Sequence, residues 1–303
     1  MGVLTVSDFY KKLFGSKVYK ISIDAGCTCP NRDGTLGTGG CIFCSASGSG
    51  DFTASRALSV KEQIQQAKKL VEAKCPSKKY IAYFQNFTNT YGNLDEIFLK
   101  WDQALQEEGI CGIAIATRPD CVGQKVLTKL ASLSQKTYVQ LELGLQTTNE
   151  QTARYIRRGF ESRAFERAVE EIHNACPKVH IVTHIIFGLP GETRDDMLTT
   201  VNNALEWKTD GLKITVLYVL KNTDLEKEYL NGKVKTLEME EYMSILEEAL
   251  ALVPPGVVIH RVTGDPPKSL LIAPEWTKNK KVVLNRVKQL FLHVDSLSSN
   301  VVQ

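Results

Sequence analysis

The sequence predicts an α/β fold, namely a partial (β/α)6 TIM-like barrel with an α/β extension appended at its carboxyl end. Two observations favour this fold. Six predicted strands alternate with helices between residues 17 and 232, which is typical of a parallel sheet covered by helices. Several strands have one polar face, whereas strands buried on both faces are nearly all apolar. We therefore expect a barrel whose interior holds a polar ligand; the alternation alone also fits an open, doubly wound sheet.

Short apolar runs and helix start and stop signals indicate the elements of the six units. The predicted strands lie at residues 17–26, 79–87, 112–120, 137–146, 179–191 and 211–220. The helices that follow them lie at residues 59–74, 93–109, 122–134, 149–158, 162–175, 193–208 and 224–232. Ser59 and Glu62 form a capping box for the first helix. Asn93 and Gly109 are the residue types expected at the start and the end of the second.

The fourth strand shows the polar face most clearly. Its aliphatic residues alternate with residues that share the other face, namely Gln140, Glu142, Gly144 and Gln146. His184 and Lys213 fall on a comparable face of the next two strands. Glu142 and Lys213 are our candidate catalytic residues, because charged groups inside a barrel can contact a substrate. The alternative is that such groups form an ion-pair network with one another.

The alternation stops near residue 235. A helix at 237–253, a strand at 257–264 and a terminal helix at 278–292 follow. No linker-like stretch separates them from the preceding units. We expect a core at residues 1–235 and an extension at residues 236–303 that packs on it.

The composition is that of an ordinary globular chain. Of 303 residues, 43% are hydrophobic and 23% charged, and the net charge of +3 is too weak to indicate nucleic-acid binding by itself. No apolar run approaches the roughly 18 residues of a membrane span, and the start lacks a secretory signal. We therefore expect a cytoplasmic protein with no membrane partner. Four of the eight cysteines are scattered, and we expect them to be small buried or half-buried residues: Cys75, Cys111, Cys121 and Cys176.

The other four cysteines lie within eighteen residues, in the segment CTCPNRDGTLGTGGCIFC at positions 27–44. This cysteine loop follows the first strand, at the sheet edge where α/β folds bind ligands. Its glycines let the backbone fold tightly, and Cys41 and Cys44 are spaced to reach one metal centre. The residues alone leave two interpretations open, a zinc site held by all four thiolates or an iron–sulfur cluster held by three.

The segment CPNRDGTLGTGGCIFC resembles the cluster loop of radical SAM enzymes, in the branch that includes the Elongator catalytic subunit. As in that branch, the first cysteine spacing is wide and an aromatic residue, Phe43, precedes the last cysteine. Further motifs follow in the order found in the YhcC-type proteins of this branch: YFQNFTNTYG, IATRPD, ELGLQ, YIRRGF, FGLPGET, RVTGD and APEW. We expect no acetyltransferase domain, because the chain ends too soon for one.

The resemblance implies that Cys29, Cys41 and Cys44 bind three irons of a [4Fe–4S] cluster and that S-adenosylmethionine (SAM) binds the fourth. It implies reductive cleavage of SAM to methionine and a 5′-deoxyadenosyl radical, with an electron donor such as flavodoxin or ferredoxin. It also implies further cofactor contacts, at Phe43, Gln85, Asn86, Gln146, Arg158, His184 and Gly188.

The function that we predict is therefore that of a radical SAM enzyme. By analogy with the Elongator branch, its expected substrate is RNA such as tRNA, and a basic rim would bind it at Arg154, Arg157, Arg158, Arg163, Lys278, Lys280 and Lys281. One alternative is radical chemistry on a small metabolite. The other is a zinc-bearing RNA-binding module without catalysis.

Overall fold

The computed structural model describes residues 2–48, 50, 53–73 and 78–300, with side chains up to residue 296. Cys75 lies outside the described residues. The strands are β1 (Tyr19–Ile23), β2 (Tyr80–Phe84), β3 (Ile110–Thr117), β4 (Tyr138–Gln146), β5 (His180–Phe187), β6 (Gly211–Val216), β7 (Val219–Leu220), β8 (Val258–Arg261) and β9 (Leu271–Ala273). The helices are α1 (Val6–Phe14), α2 (Val60–Glu72), α3 (Leu94–Gln106), α4 (Gln124–Ser134), α5 (Glu150–Tyr155), α6 (Ser162–Ala175), α7 (Arg194–Glu206), α8 (Asp224–Leu230), α9 (Met239–Ala251) and α10 (Lys280–Asn300). Among the described helices, none combines the length and the apolar content that crossing a membrane requires.

The main sheet is parallel and contains seven strands in the order β1-β2-β3-β4-β5-β6-β8. It curls into a half barrel that is covered by helices. This confirms the predicted fold class, since strand and helix alternate through the first six units.

Strand register explains why polar groups gather inside the half barrel. Glu142 on β4 lies beside Ala116 on β3. Gly144, two residues later on the same face, lies beside His184 on β5, and His184 lies beside Lys213 on β6. Because side chains alternate along a strand, one row of residues from four strands faces the same interior.

The opposite face of the sheet forms the main hydrophobic core. The aliphatic residues of β4 are fully buried there, and so are Trp101 of α3 and Phe165 of α6. Burial of each large apolar side chain contributes about 1.5–3 kcal/mol. The core therefore fixes which face of each strand is turned inward.

The predicted extension contributes to the main sheet. Strand β8 pairs in parallel with β6 and is the last strand of the sheet. Helix α9 packs against α7 and α10, and β9 pairs antiparallel with β7.

Helix α1, which the sequence patterns above did not predict, covers the amino-terminal end of the barrel. The Tyr10 hydroxyl of α1 donates a hydrogen bond to Oε1 of Gln140 at 2.9 Å. Just before the helix, the carbonyl of Leu4 accepts a hydrogen bond from the amide of Ile259 on β8 at 2.8 Å. The beginning of the chain is thus attached to the last strand of the sheet.

Candidate functional site

A cleft lies at the carboxyl ends of the barrel strands, beside the cysteine loop. It encloses about 150 Å³ and is open to solvent on one side. The predicted site residues that line it are Cys29, Cys41, Phe43, Cys44, Gln85, Glu142, Gln146, Arg158, His184 and Lys213. The fold therefore brings together residues from the cysteine loop, from four strands or strand ends and from the segment after α5.

Cys41 and Cys44 occupy a tight turn of the loop, in which the amide of Cys44 donates to the carbonyl of Cys41 at 3.1 Å. A hydrogen bond with the Cys44 thiol, aided by one from Asn31, lowers the pKa of Cys41 to about 7 against the effect of burial. The Asn31 side chain also donates to the carbonyls of Arg157 and Arg158, at 2.7 and 3.0 Å. Asn31 thereby fastens the loop to the connection between α5 and α6.

Arg32 holds the other side of the loop, although the sequence reasoning did not select it. Its guanidinium donates to the carbonyls of Ser45 and Cys44, at 2.6 and 3.2 Å, and lies over the ring of Phe87. Gly40 has a φ of +70°, and a Cβ there would lie 2.9 Å from Nε of Arg32. The sequence did contain a signal for Arg32, because this arginine lies within the cysteine loop, three residues after the predicted cluster ligand Cys29.

Cys27 is separate from the other three cysteines. Its side chain is buried in the main hydrophobic core and is not among the residues that line the cleft. Burial raises the pKa of the Cys27 thiol to about 12. Three thiols therefore share the cleft, and the fourth lies in an apolar environment that favours the protonated form.

Glu142 is the centre of a buried polar network at the inner end of the cleft. One carboxylate oxygen accepts from Lys20 at 2.6 Å and from Gln140 at 2.8 Å. The other accepts from the Tyr83 hydroxyl at 2.5 Å and from Lys213 at 3.0 Å. Burial alone would raise the pKa of Glu142, but Lys20 and Lys213 hold it well below its ordinary value.

His184 lies next to this network. Its Nε2 shares a hydrogen bond with Thr215 at 3.1 Å. Burial, reinforced by the charge of Lys213, lowers the pKa of His184 to about 3. His184 therefore lines the cleft as a neutral imidazole.

Comparison with known proteins decides the family. The Radical SAM superfamily model matches residues 31–204, and the Radical_SAM C-terminal domain model matches residues 209–291. The chain belongs to the radical SAM superfamily. It is a radical SAM enzyme, and members of this superfamily in general use a [4Fe–4S] cluster and SAM.

Two curated relatives and one solved structure illustrate the similarity. YtqA of Bacillus subtilis is 39% identical over 94% of this chain and 88% of its own length. YhcC of Escherichia coli strain K12 is 35% identical over 88% of this chain and 85% of its own length. The structure of Elp3 from the archaeon Methanocaldococcus infernus superposes with a TM-score of 0.65 at 16% identity, over 90% of this chain and 63% of that one. The predicted resemblance to YhcC-type and Elongator-like radical SAM proteins is confirmed.

The residues of the cleft fit the cofactors of the superfamily. Three thiols around one cleft are the donor set of a cluster with one iron free of protein ligands. In the described part of the chain, no three His, Cys, Asp or Glu side chains converge as ligands of one metal ion. A four-iron cluster does not require such convergence, because each cysteine binds a different iron. The burial of Cys27 and the enzyme family both disfavour the zinc-bearing module.

Arg158, a predicted SAM contact, is only 1% exposed. Each of its guanidinium nitrogens is engaged within the protein, by the carbonyls of Phe160, Leu145 and Thr147, the hydroxyl of Ser162 and the carboxylate of Glu150. In this arrangement Arg158 joins the end of β4 to the segment between α5 and α6. Its guanidinium has no N–H left over for a ligand.

Two predicted cofactor contacts, Asn86 and Gly188, do not line the cleft. The amide of Asn86 donates to Asp24 at 2.7 Å and to Thr53 at 3.0 Å. Gly188 has a φ of +81°, and a Cβ there would lie 2.9 Å from the Leu237 side chain. Asn86 thus joins the end of β2 to Asp24 after β1, and Gly188 allows Leu237 to approach the end of β5.

The remaining predicted contacts lie at the cleft wall. Gln85 accepts a hydrogen bond from the Ser22 hydroxyl at 3.2 Å. Gln146 ends β4 with a φ of +62°. Phe43 packs against a second apolar cluster beside the loop. Each keeps its side chain at the surface of the cleft.

Arg118 is a cleft residue that the sequence reasoning missed. It forms two hydrogen bonds with the Asp120 carboxylate, at 2.9 and 2.7 Å, and one with the carbonyl of Arg158 at 2.8 Å. Its side chain is buried, and it faces the cleft near Cys29. The motif IATRPD, used only for the resemblance, contained the signal.

Proposed function

We propose that Cys29, Cys41 and Cys44 hold a [4Fe–4S] cluster in the cleft and that the enzyme uses SAM bound there to modify RNA, such as tRNA. The observation that carries the cofactor assignment is that these three thiols line one cleft while Cys27 is buried in the core. In this proposal the electron donor is a low-potential carrier such as flavodoxin or ferredoxin. The enzyme acts in the cytoplasm.

When bound and reduced, the cluster supplies an electron that cleaves SAM into methionine and a 5′-deoxyadenosyl radical. The loop contributes shape, because Asn31 attaches it to the connection between α5 and α6 and Arg32 holds its carboxyl end through the carbonyls of Cys44 and Ser45. Phe43 and Ile186 add apolar surface to the cleft. Exclusion of water by such a wall protects reactive species from side reactions.

Glu142 and Lys213 are the proposed substrate-facing groups. Both line the cleft, and Nζ of Lys213 donates a hydrogen bond to the Glu142 carboxylate at 3.0 Å. Glu142 has its four acceptor contacts filled by protein donors. In this arrangement Lys213 contacts the substrate, and Glu142 orients Lys213.

RNA as the substrate is supported by exposed cations near the cysteine loop. Arg154 and Arg163 are exposed, and Arg154 and Arg157 line a groove of about 540 Å³ beside Gly39 of the loop. Arg157 pairs with Asp224 across this surface. Glu150 and Glu161 also line this groove, so individual exposed arginines, not a net positive surface, would supply the salt-dependent contacts with phosphates.

Paired cysteine variants test the cofactor assignment. After anaerobic reconstitution, the wild-type protein and Cys27→Ala are expected to be brown and to form 5′-deoxyadenosine with a reductant. Cys44→Ala is expected to form none. The assignment is wrong if Cys44→Ala retains the product, or if Cys27→Ala loses both iron and product as Cys44→Ala does.

A gel-shift assay with bulk tRNA tests the substrate. We expect a salt-dependent shift that is weakened severalfold in the double variant Arg154→Gln/Arg163→Gln. Arg286→Gln, an exposed arginine of α10 that pairs with Glu240, is the matched control and should bind as the wild type does. Absence of a shift at low salt would favour the small-metabolite alternative, and nucleoside and metabolite profiling of cells lacking the protein would then identify the substrate.

A further inference from the structure

A second cavity of about 230 Å³ lies at the opposite end of the barrel from the cysteine loop. We call it the lower cavity. It lies between α1 and the amino-terminal ends of the strands, and Tyr10 of α1 lines it. Tyr83, Glu142 and Lys213 line both the lower cavity and the cleft. These three side chains therefore form a partition between two separate spaces within one half barrel.

The lower cavity has an excess of positive charge. Lys17, Lys20, Lys213 and Arg261 line it, whereas Glu142 is its one carboxylate among the described residues. Glu142 contacts both Lys20 and Lys213, so two basic side chains share one carboxylate. Asp265 outside the cavity is 3.6 Å from Arg261, and this pair is about 40% exposed and therefore screened by solvent.

The cations are close enough to repel one another. Burial lowers the pKa of Lys20, and the charges of Lys213 and Arg261 lower it further, while Glu142 opposes the effect. Buried charge is costly unless it is paired. Because Lys20 and Lys213 share one carboxylate and Arg261 has only an exposed partner, an additional anion would be favourable beside these side chains.

We propose that the lower cavity is a binding site for a phosphate group, either as a free anion or as part of a small metabolite. Lysine and arginine together form strong charge-assisted hydrogen bonds with phosphate oxygens. By the measure that gives this cavity 230 Å³, one water molecule needs about 10–15 Å³, so the cavity has room for a phosphate and a small organic group. Lys20 and Arg261 contact the ligand, and Lys17 lies at the rim.

The lower cavity is independent of the proposed cofactor site. The partition of Tyr83, Glu142 and Lys213 separates it from Cys29, Cys41 and Cys44. Ligand binding there requires neither a cluster nor SAM. A failure of the cofactor assignment would therefore leave this proposal untouched, and the reverse also holds.

Isothermal titration calorimetry of the full chain at low salt tests the proposal, with inorganic phosphate and adenosine monophosphate as separate probes. We expect saturable binding with a dissociation constant in the millimolar range or tighter. Lys20→Gln and Arg261→Gln should each weaken it about tenfold. Lys11→Gln on the outer side of α1, whose side chain is 59% exposed, should change it less than about twofold.

The outcomes are distinct. If both probes bind, the ligand is a phosphate group that can be part of a larger metabolite. If only inorganic phosphate binds, the ligand is the free anion. No saturable heat up to about 10 mM of either probe overturns the proposal, as does equal affinity in all three variants. Because Arg261 is 38% exposed, Arg261→Gln is expected to fold and keeps the test valid even where Lys20→Gln does not.

Discussion

Replacement of Glu142 by glutamine is expected to lower the free energy of unfolding by about 3–5 kcal/mol, the cost of removing one partner from a buried ion pair. The change keeps the shape of the side chain and removes its charge. Lys20 and Lys213, which lie 2.6 and 3.0 Å from the carboxylate and are only 22% and 12% exposed, then share a buried site without a counter-charge.

The magnitude follows from the two contacts. At an effective dielectric constant of about 20, two unit charges about 4 Å apart attract by about 4 kcal/mol. Two such pairs set an upper bound of about 8 kcal/mol. The variant also avoids the desolvation of a carboxylate, and each lysine can lose its proton, so the net loss falls to about 3–5 kcal/mol.

Urea unfolding followed by circular dichroism measures this loss. Glu240→Gln is the matched control, because Glu240 forms an exposed pair with Arg286 on α10, and such pairs contribute at most about 1 kcal/mol. A loss below about 1 kcal/mol for Glu142→Gln, equal to that of the control, would refute the view that charge holds the partition together.

The dependence of the free energy of unfolding on pH tests the network around Glu142 independently. Because the pKa of Glu142 is depressed in the folded protein, its contribution is fully present above the unfolded-state pKa of about 4.3. That contribution is lost as pH falls through the lower folded-state value. Wild-type stability should therefore fall more steeply than that of Glu142→Gln below about pH 4. Parallel acid profiles would contradict the assignment.

Three further substitutions give separate tests. Gly40→Ala places a Cβ against Arg32 in a left-handed backbone, so we expect less iron and sulfide per chain after reconstitution, while Gly123→Ala, where a Cβ meets nothing within 4 Å, should incorporate the wild-type amount. Arg118→Gln removes hydrogen bonds to a neighbouring aspartate and should lower the urea midpoint, at a cost of about 2 kcal/mol; an unchanged midpoint would show that the pair is not stabilising. Trp101→Ala empties a fully buried site and should cost about 3–5 kcal/mol in the same assay, and a smaller loss would mean that the surrounding core collapses into the space.

The sequence predicted the elements that have a strong local period. Strand β4 alternates strictly, and the structure buries its aliphatic residues in the core and turns Glu142 inward. The strand predicted at residues 257–264 also exists, as Val258–Arg261. Its pairing with β6 was not predictable from its own residues, because apolar alternation specifies a buried face and carries no information about the neighbouring strand.

For the site residues as well, local sequence patterns identified some features, and others depend on tertiary packing. The spacing of the cysteines identified the loop, but burial separates Cys27 from the others, and burial depends on the packing of the whole core. Arg158 has the spacing of a ligand contact, yet its hydrogen bonds go to carbonyls that only the folded turn brings together. Arg118 was overlooked because a single arginine in a strand-end motif carries no periodic signal.

The attachment of Leu4 to Ile259 on β8 has a consequence for the order of synthesis. Strand β1 can pair with β2 early in synthesis, but β8, the partner of the segment at Leu4, is made about 250 residues after that segment. Contacts between such distant residues are slow to form, because the entropy of loop closure is lost before the contact is gained. During translation the nascent barrel therefore lacks the contact between Leu4 and β8. Helix α1 and the lower cavity take their final form only after β8 has emerged.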